Sequence, residues 1–187
     1  MARQPAHARQ GPLGQVTLGF ADVFCPPDIH QGLLRSAGPG PAGAVLDEHR
    51  AALNGCLDGL TEEQARRSLV PSRTTLLGLV KHATFVERVW FDEAVTCRSR
   101  AEIGIPATPD ESFILDDDDN VTSIQLAHRT ACEASRAATS PLSLDDLVQG
   151  NRRGPIPLRW VYLHMLRELA QHCGHADILR EQLLARS

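Results

Sequence analysis

Residues 158–185 read LRWVYLHMLRELAQHCGHADILREQLLA, and this stretch decides the fold. Pro157 stands just before it, where a proline suits the opening of a helix. Leu158, Trp160, Val161, Leu163, Met165, Leu166 and Leu169 make its first half apolar on most sides. A helix of that kind belongs in the centre of a bundle. Four polar residues interrupt it: His164, Glu168, His172 and His175. At ~100° per residue these fall within an arc of roughly 80°. Side chains four apart on one face, such as Glu168 and His172, can close on a single metal ion. Burying a carboxylate and imidazoles costs several kcal/mol, of order 2–7 per group, unless they are paired or metal-bound.

Working outward, a second helix is expected from Ser72–Thr75 to about Thr96. Its inward stripe is Thr75, Leu79, His82, Val86, Val89 and Glu93, flanked by Leu76, Phe85 and Trp90. His82 lies on that stripe and can meet Glu168 and His172 across the interior. One ligand from one helix and an i, i+4 pair from another is a common way for bundles to hold a metal. Three N/O ligands leave coordination positions open, as in a reactive rather than a structural site. His164 is expected to cap the core one turn away, and His175 to line the pocket.

A helix from Ala44 carries Val45, Leu46, His49, Ala52, Leu53, Cys56, Leu57 and Leu60 at three- and four-residue steps. Thr61 to Gln64 then reads as a capping box. A further helix is expected over Val121 to Ala138, ended by Pro141. Residues 98–120 form a long loop in which Asp116 to Asp119 read as a solvated, self-repelling run. The fold class is therefore all-α, a four-helix bundle with a long crossover connection. Residues 1–43 form an irregular N-terminal extension ahead of the bundle at 44–187. Its Pro and Gly content hides one weak strand signal at Val16, Leu18 and Phe20.

Composition narrows the function. The 187 residues carry a formal net charge of −4, so no global attraction to nucleic acid or an anionic membrane follows. No apolar run approaches the ~20 residues that span a bilayer, and no secretory signal opens the chain. Five scattered cysteines without a C-x-x-C pair exclude a disulfide framework or thiolate zinc site and fit a reducing, cytoplasmic setting. Arg152, Arg153 and Arg159 form a small basic cluster suited to a substrate carboxylate. Glu87 and Asp177 are the available bases were the site hydrolytic. His49 is expected to pack or line the pocket, and His128 has no evident partner.

Two blocks carry a resemblance. Leu76 to His82 followed by Val86 to Phe91, and Leu158 to Trp160 with His164, Met165, Glu168 and His172 to Glu181, resemble the second and fourth helices of the DinB superfamily. The likeness is greatest to a branch of unknown function that includes the mini-circle protein, and spans about residues 44 to 185. It implies a DinB-like four-helix bundle with a divalent metal, zinc or nickel. By matching motif positions the ligands become His82, Glu168 and His172. Arg159 and His175 are assigned to co-substrate binding. Characterised relatives use a low-molecular-weight thiol, mycothiol among them, for transfer or isomerisation. The resemblance therefore implies an S-transferase or isomerase acting on a small electrophile, with a homodimer as a family habit. The alternatives are a non-catalytic metal- or small-molecule-binding bundle and a metal-dependent hydrolase.

Overall fold

The computed structural model describes residues 40–185. Four long helices carry it: α1 (Gly40–Gly55), α3 (Leu76–Glu87), α6 (Val121–Thr139) and α7 (Leu158–Leu184). Between α1 and α3 lies α2 (Glu62–Arg66), opened by the expected capping box at Thr61 and Gln64. α3 runs through a π turn, Arg88–Glu93, into α4 (Ala94–Thr96). The crossover to α6 contains α5 (Arg100–Ile103) and a 3₁₀ turn, Glu111–Phe113. β1 (Leu147–Val148) and β2 (Ile156–Pro157) pair antiparallel just before α7.

Cross-helix pairs fix the directions. Cys173 donates to the His49 carbonyl and Arg180 to that of Cys56, so α7 runs parallel to α1. His82 meets His172 while Trp90 meets His164, so α3 and α7 are antiparallel. Asp47 pairs with Arg136 and Asn54 with His128, so α6 opposes α1. α3 and α6 are then parallel, and residues 97–120 must travel the length of the bundle between them. The chain is thus an all-α bundle with one long crossover. Leu46, Leu53, Leu77, Leu79, Val161, Met165 and Leu169 fill its core, each almost fully buried. No helix among the described residues is long and apolar enough to cross a membrane.

The structure corrects several expectations. α1 begins at Gly40, not Ala44, because Pro41 falls in the first turn, where its missing N–H leaves no helix bond unmade. Val45 faces solvent, since the packed face of α1 runs through Ala42, Leu46, Leu53 and Leu57. The π turn interrupts what reads as one regular helix. Its wider turn shifts the phase, so that Phe91 is buried while Val89 and Glu93 are only half-buried. The aspartate run does not simply repel itself: the Lys81 ammonium reaches Asp116 at 2.8 Å and Asp119 at 2.6 Å. Asn120, next after the run, caps α6 by accepting from the Ser123 N–H. The two-residue ladder is too short to leave an alternating pattern in the sequence. Gly150 brings the connection before α7 against α4; a Cβ there would stand 1.9 Å from the Glu93 carbonyl oxygen. Cys56, Cys97, Cys132 and Cys173 are free thiols. The strand signal at Val16 to Phe20, Cys25 and the 1–43 extension up to Pro39 lie outside the described residues.

Candidate functional site

The antiparallel pairing of α3 and α7 brings His82 edge-on to His172, ring centroids 4.9 Å apart at 78°. One turn before His172, Glu168 places Oε2 3.8 Å from His172 Nε2. The other carboxylate oxygen, Oε1, lies 3.3 Å from an Arg167 N–H and 3.9 Å from His164 Nε2. His82 and His172 are buried, and the Glu168 side chain is 17% exposed. His172 therefore neighbours both His82, across the α3–α7 seam, and Glu168, one turn along α7.

Hydrogen bonding is incomplete there. Both ring nitrogens of His172 are buried without a hydrogen-bond partner among the described residues. Leaving a buried polar atom unsatisfied costs about 1–3 kcal/mol, so the His172 ring carries two such costs in this arrangement. Burial, with the neighbouring His172, pushes the His82 pKa down to about 3. Burial, with His175, pushes His172 down to about 4. Both rings are neutral at neutral pH, with a lone pair to offer. Burial raises the Glu168 carboxyl, against the pull of Arg167. Two neutral imidazoles and a carboxylate are an N₂O donor set suited to zinc or nickel. Bonds of about 2.0–2.2 Å in a tetrahedral site would put neighbouring donors roughly 3.5 Å apart, close to the His172–Glu168 spacing. Among the described residues, no three His, Cys, Asp or Glu side chains already converge on one point that would hold an ion.

An aromatic wall flanks the trio. His164 stacks on Trp160, centroids 5.0 Å apart at 10°, and meets Trp90 edge-on at 4.5 Å. Arg153 lies over the Trp160 ring. Burial in this wall, helped by Arg167 and Arg153, takes His164 down to about 3. Arg167 donates to His164 Nδ1 at 3.1 Å, which leaves the ring proton on Nε2, facing Glu168. Trp90 sits within the π turn, a feature frequent at functional sites. The pairing of Trp90 with Trp160 was hidden in the sequence because the π turn alters the helical period. Ser112 and Phe113, which touch His82 from the crossover, had no periodic signal at all.

Of the other expected residues, His175 borders the cluster and the rest have partners of their own or face solvent. Arg159 pairs with Asp145 and lies nine residues before Glu168, about 180° round the helix. The structure does not bring it to this cluster. His175 is exposed, its ring 5.9 Å from that of His172. Glu87 is fully buried, but against Arg50 and Ser135, not at the site. Asp177 is exposed. His49 is half-buried, its Nδ1 2.8 Å from the Val45 carbonyl. His128 has partners after all: Asn54 at 3.1 Å and Cys132 Sγ at 3.6 Å. A cavity of about 510 Å³ between α3 and α6 is lined by Thr84, Arg88, Phe91, Ala131 and Ser135. Thr84 is two residues from His82, roughly 200° round α3, so this cavity opens on the far side of that helix.

Fold and site together define a DinB-like helical bundle with a polar cluster on one seam. The profile of the family described as mycothiol-S-transferase matches residues 43–185, and the chain belongs to that family, within the DinB-like superfamily. None of the curated proteins matches it.

Proposed function

We propose that the chain is a metal-dependent S-transferase or isomerase that uses a low-molecular-weight thiol of the mycothiol type on a small electrophile. The observation that carries this reading is the buried His172 ring, beside Glu168 and His82, with neither nitrogen satisfied among the described residues, in a chain of this family. His82, Glu168 and His172 would hold a divalent ion, zinc or nickel. When bound, such an ion lowers the pKa of a coordinated thiol and so supplies a thiolate at neutral pH. The residues of the chain prepare that chemistry. The two histidines are kept neutral by burial. Arg167 holds one oxygen of Glu168 and leaves the other toward His172. Trp90 and Trp160 screen one side from water.

A hydrolase would need a base beside the site. Glu87 is committed to Arg50 and Ser135, and Asp177 points to solvent, so neither supplies one. The test is thiol consumption by the zinc- or nickel-reconstituted protein with mycothiol and a panel of small electrophiles. Turnover that requires the thiol and disappears in His82→Ala supports the reading. Metal bound at full occupancy without turnover of any thiol would point instead to a non-catalytic binding bundle. Activity without thiol would contradict it in favour of hydrolysis.

A further inference from the structure

The crossover reaches the site at one point. Its 3₁₀ turn delivers two side chains to His82. Phe113 lies flat against the imidazole, ring centroids 4.1 Å apart and planes 13° from parallel. Ser112, 1% exposed, places Oγ 2.7 Å from His82 Nδ1. The same Oγ stands 2.5 Å from the Pro109 carbonyl oxygen.

Counting protons decides the direction of these bonds. A carbonyl oxygen can only accept, and a hydroxyl has one hydrogen to give. The Ser112 hydrogen goes to Pro109, so its oxygen accepts from His82 Nδ1–H. A neutral imidazole carries one N–H, so Nε2 keeps the lone pair. We propose that Ser112 is a positioning residue that selects the Nδ1–H tautomer of His82 and leaves Nε2 as the donor atom of the site. That the ligand is a metal ion rests on the function proposed above; the tautomer does not.

The turn is built to hold that hydroxyl still. The Glu111 carboxylate accepts the N–H groups of Ala107 at 3.0 Å and Thr108 at 3.2 Å. The Ser112 N–H donates to Pro109 at 3.2 Å. Outer partners of this kind fix the tautomer and orientation of ligating histidines, and losing one typically costs 10–100-fold in metal affinity.

The experiment is ¹⁵N NMR of the full chain labelled at histidine, without metal, with the His82 signals identified by their loss in His82→Gln. Wild type is expected to show a protonated, pyrrole-type Nδ1 and a pyridine-type Nε2. Ser112→Ala should move His82 toward the other tautomer and weaken zinc binding, by chelator competition, about 10–100-fold. Ser112→Thr keeps the hydroxyl and should keep both properties. An Nε2–H ring in wild type, or a tautomer unchanged in Ser112→Ala, would overturn the proposal. Should the alanine variant not fold, the wild-type and threonine spectra still decide it. No zinc bound by wild type, with the tautomer behaving as expected, would refute the metal reading and leave the role of Ser112 standing.

Discussion

Two of the polar clusters buried among the described residues differ in how fully their hydrogen bonds are met. In the first, Arg50 of α1 makes a two-pronged contact with Glu87 of α3, at 2.8 and 2.7 Å, and Ser135 of α6 donates to the same carboxylate at 2.8 Å. His128 completes the neighbourhood, bonded on one nitrogen to Asn54 and facing Cys132 with the other. In the second, His82 and His172 share a seam with Glu168, and His172 has no hydrogen-bond partner on either nitrogen among the described residues. Both clusters hang on α3, five residues apart, in the same kind of apolar surroundings. The closed cluster acts as a clasp between helices. The open one leaves polar atoms that the described residues do not satisfy. Burial alone would not have told them apart; the state of each donor and acceptor does.

The largest effect should come from breaking the clasp. Glu87→Ala leaves the Arg50 guanidinium buried and without its carboxylate fork, at a cost of about 3–5 kcal/mol in urea unfolding. Metal binding by the surviving folded protein should be unchanged. A loss of metal with little loss of stability would mean the two clusters had been assigned the wrong way round.

Acid should strain the same clasp. Burial, reinforced by Arg50 and Arg129 and opposed by Glu87, lowers the His128 pKa from 6.5 to about 4. The unfolded chain therefore takes up a proton first. The stabilising contribution is present above pH 6.5 and is lost as the pH falls toward 4, by about 3 kcal/mol in full. His128→Gln removes this share, so its stability should fall less steeply than wild type between pH 6.5 and 4. Equal slopes in chemical denaturation across that range would contradict the assignment.

The open cluster should respond with the opposite sign. His172→Leu replaces two unsatisfied buried nitrogens by an apolar side chain of similar size. The metal-free protein should gain about 1–2 kcal/mol, while metal retention disappears. A destabilised variant would show that His172 has partners in solution and that the cluster is structural.

The smallest effect should fall on both clusters alike. Thr75 caps α3 by accepting from the Gly78 N–H at 2.9 Å. Thr75→Ala should cost about 1 kcal/mol by loosening the start of the helix that carries both His82 and Glu87. Differential scanning calorimetry should show a modest drop in Tm, with metal stoichiometry unchanged.

The bundle was legible because its long helices obey one period. The capping box at Thr61 and the run from Leu158 were read within a residue or two of their observed limits. That His172 would neighbour Glu168 and His82 was legible because the first two share a helix face and the third sits on a seam. What escaped the sequence lies where the period fails. The π turn at Arg88–Glu93 moves Phe91 inward and sets Trp90 against His164. Ser112 and Phe113 belong to a crossover whose approach to His82 depends on tertiary packing rather than on any repeat. Glu87 was visible as a charged residue in an apolar helix, but its partners, Arg50 and Ser135, come from two other helices with no spacing to announce them. Arg159 pairs with Asp145, a partner that helical spacing does not announce.

The most direct measurement is the metal content of the full chain by elemental mass spectrometry, with His82→Ala alongside. About one zinc or nickel ion per chain in wild type, lost in His82→Ala, is the predicted result. No metal in wild type after reconstitution at neutral pH, or full occupancy without His82, would contradict the central claim that the open cluster on the α3–α7 seam is a metal centre.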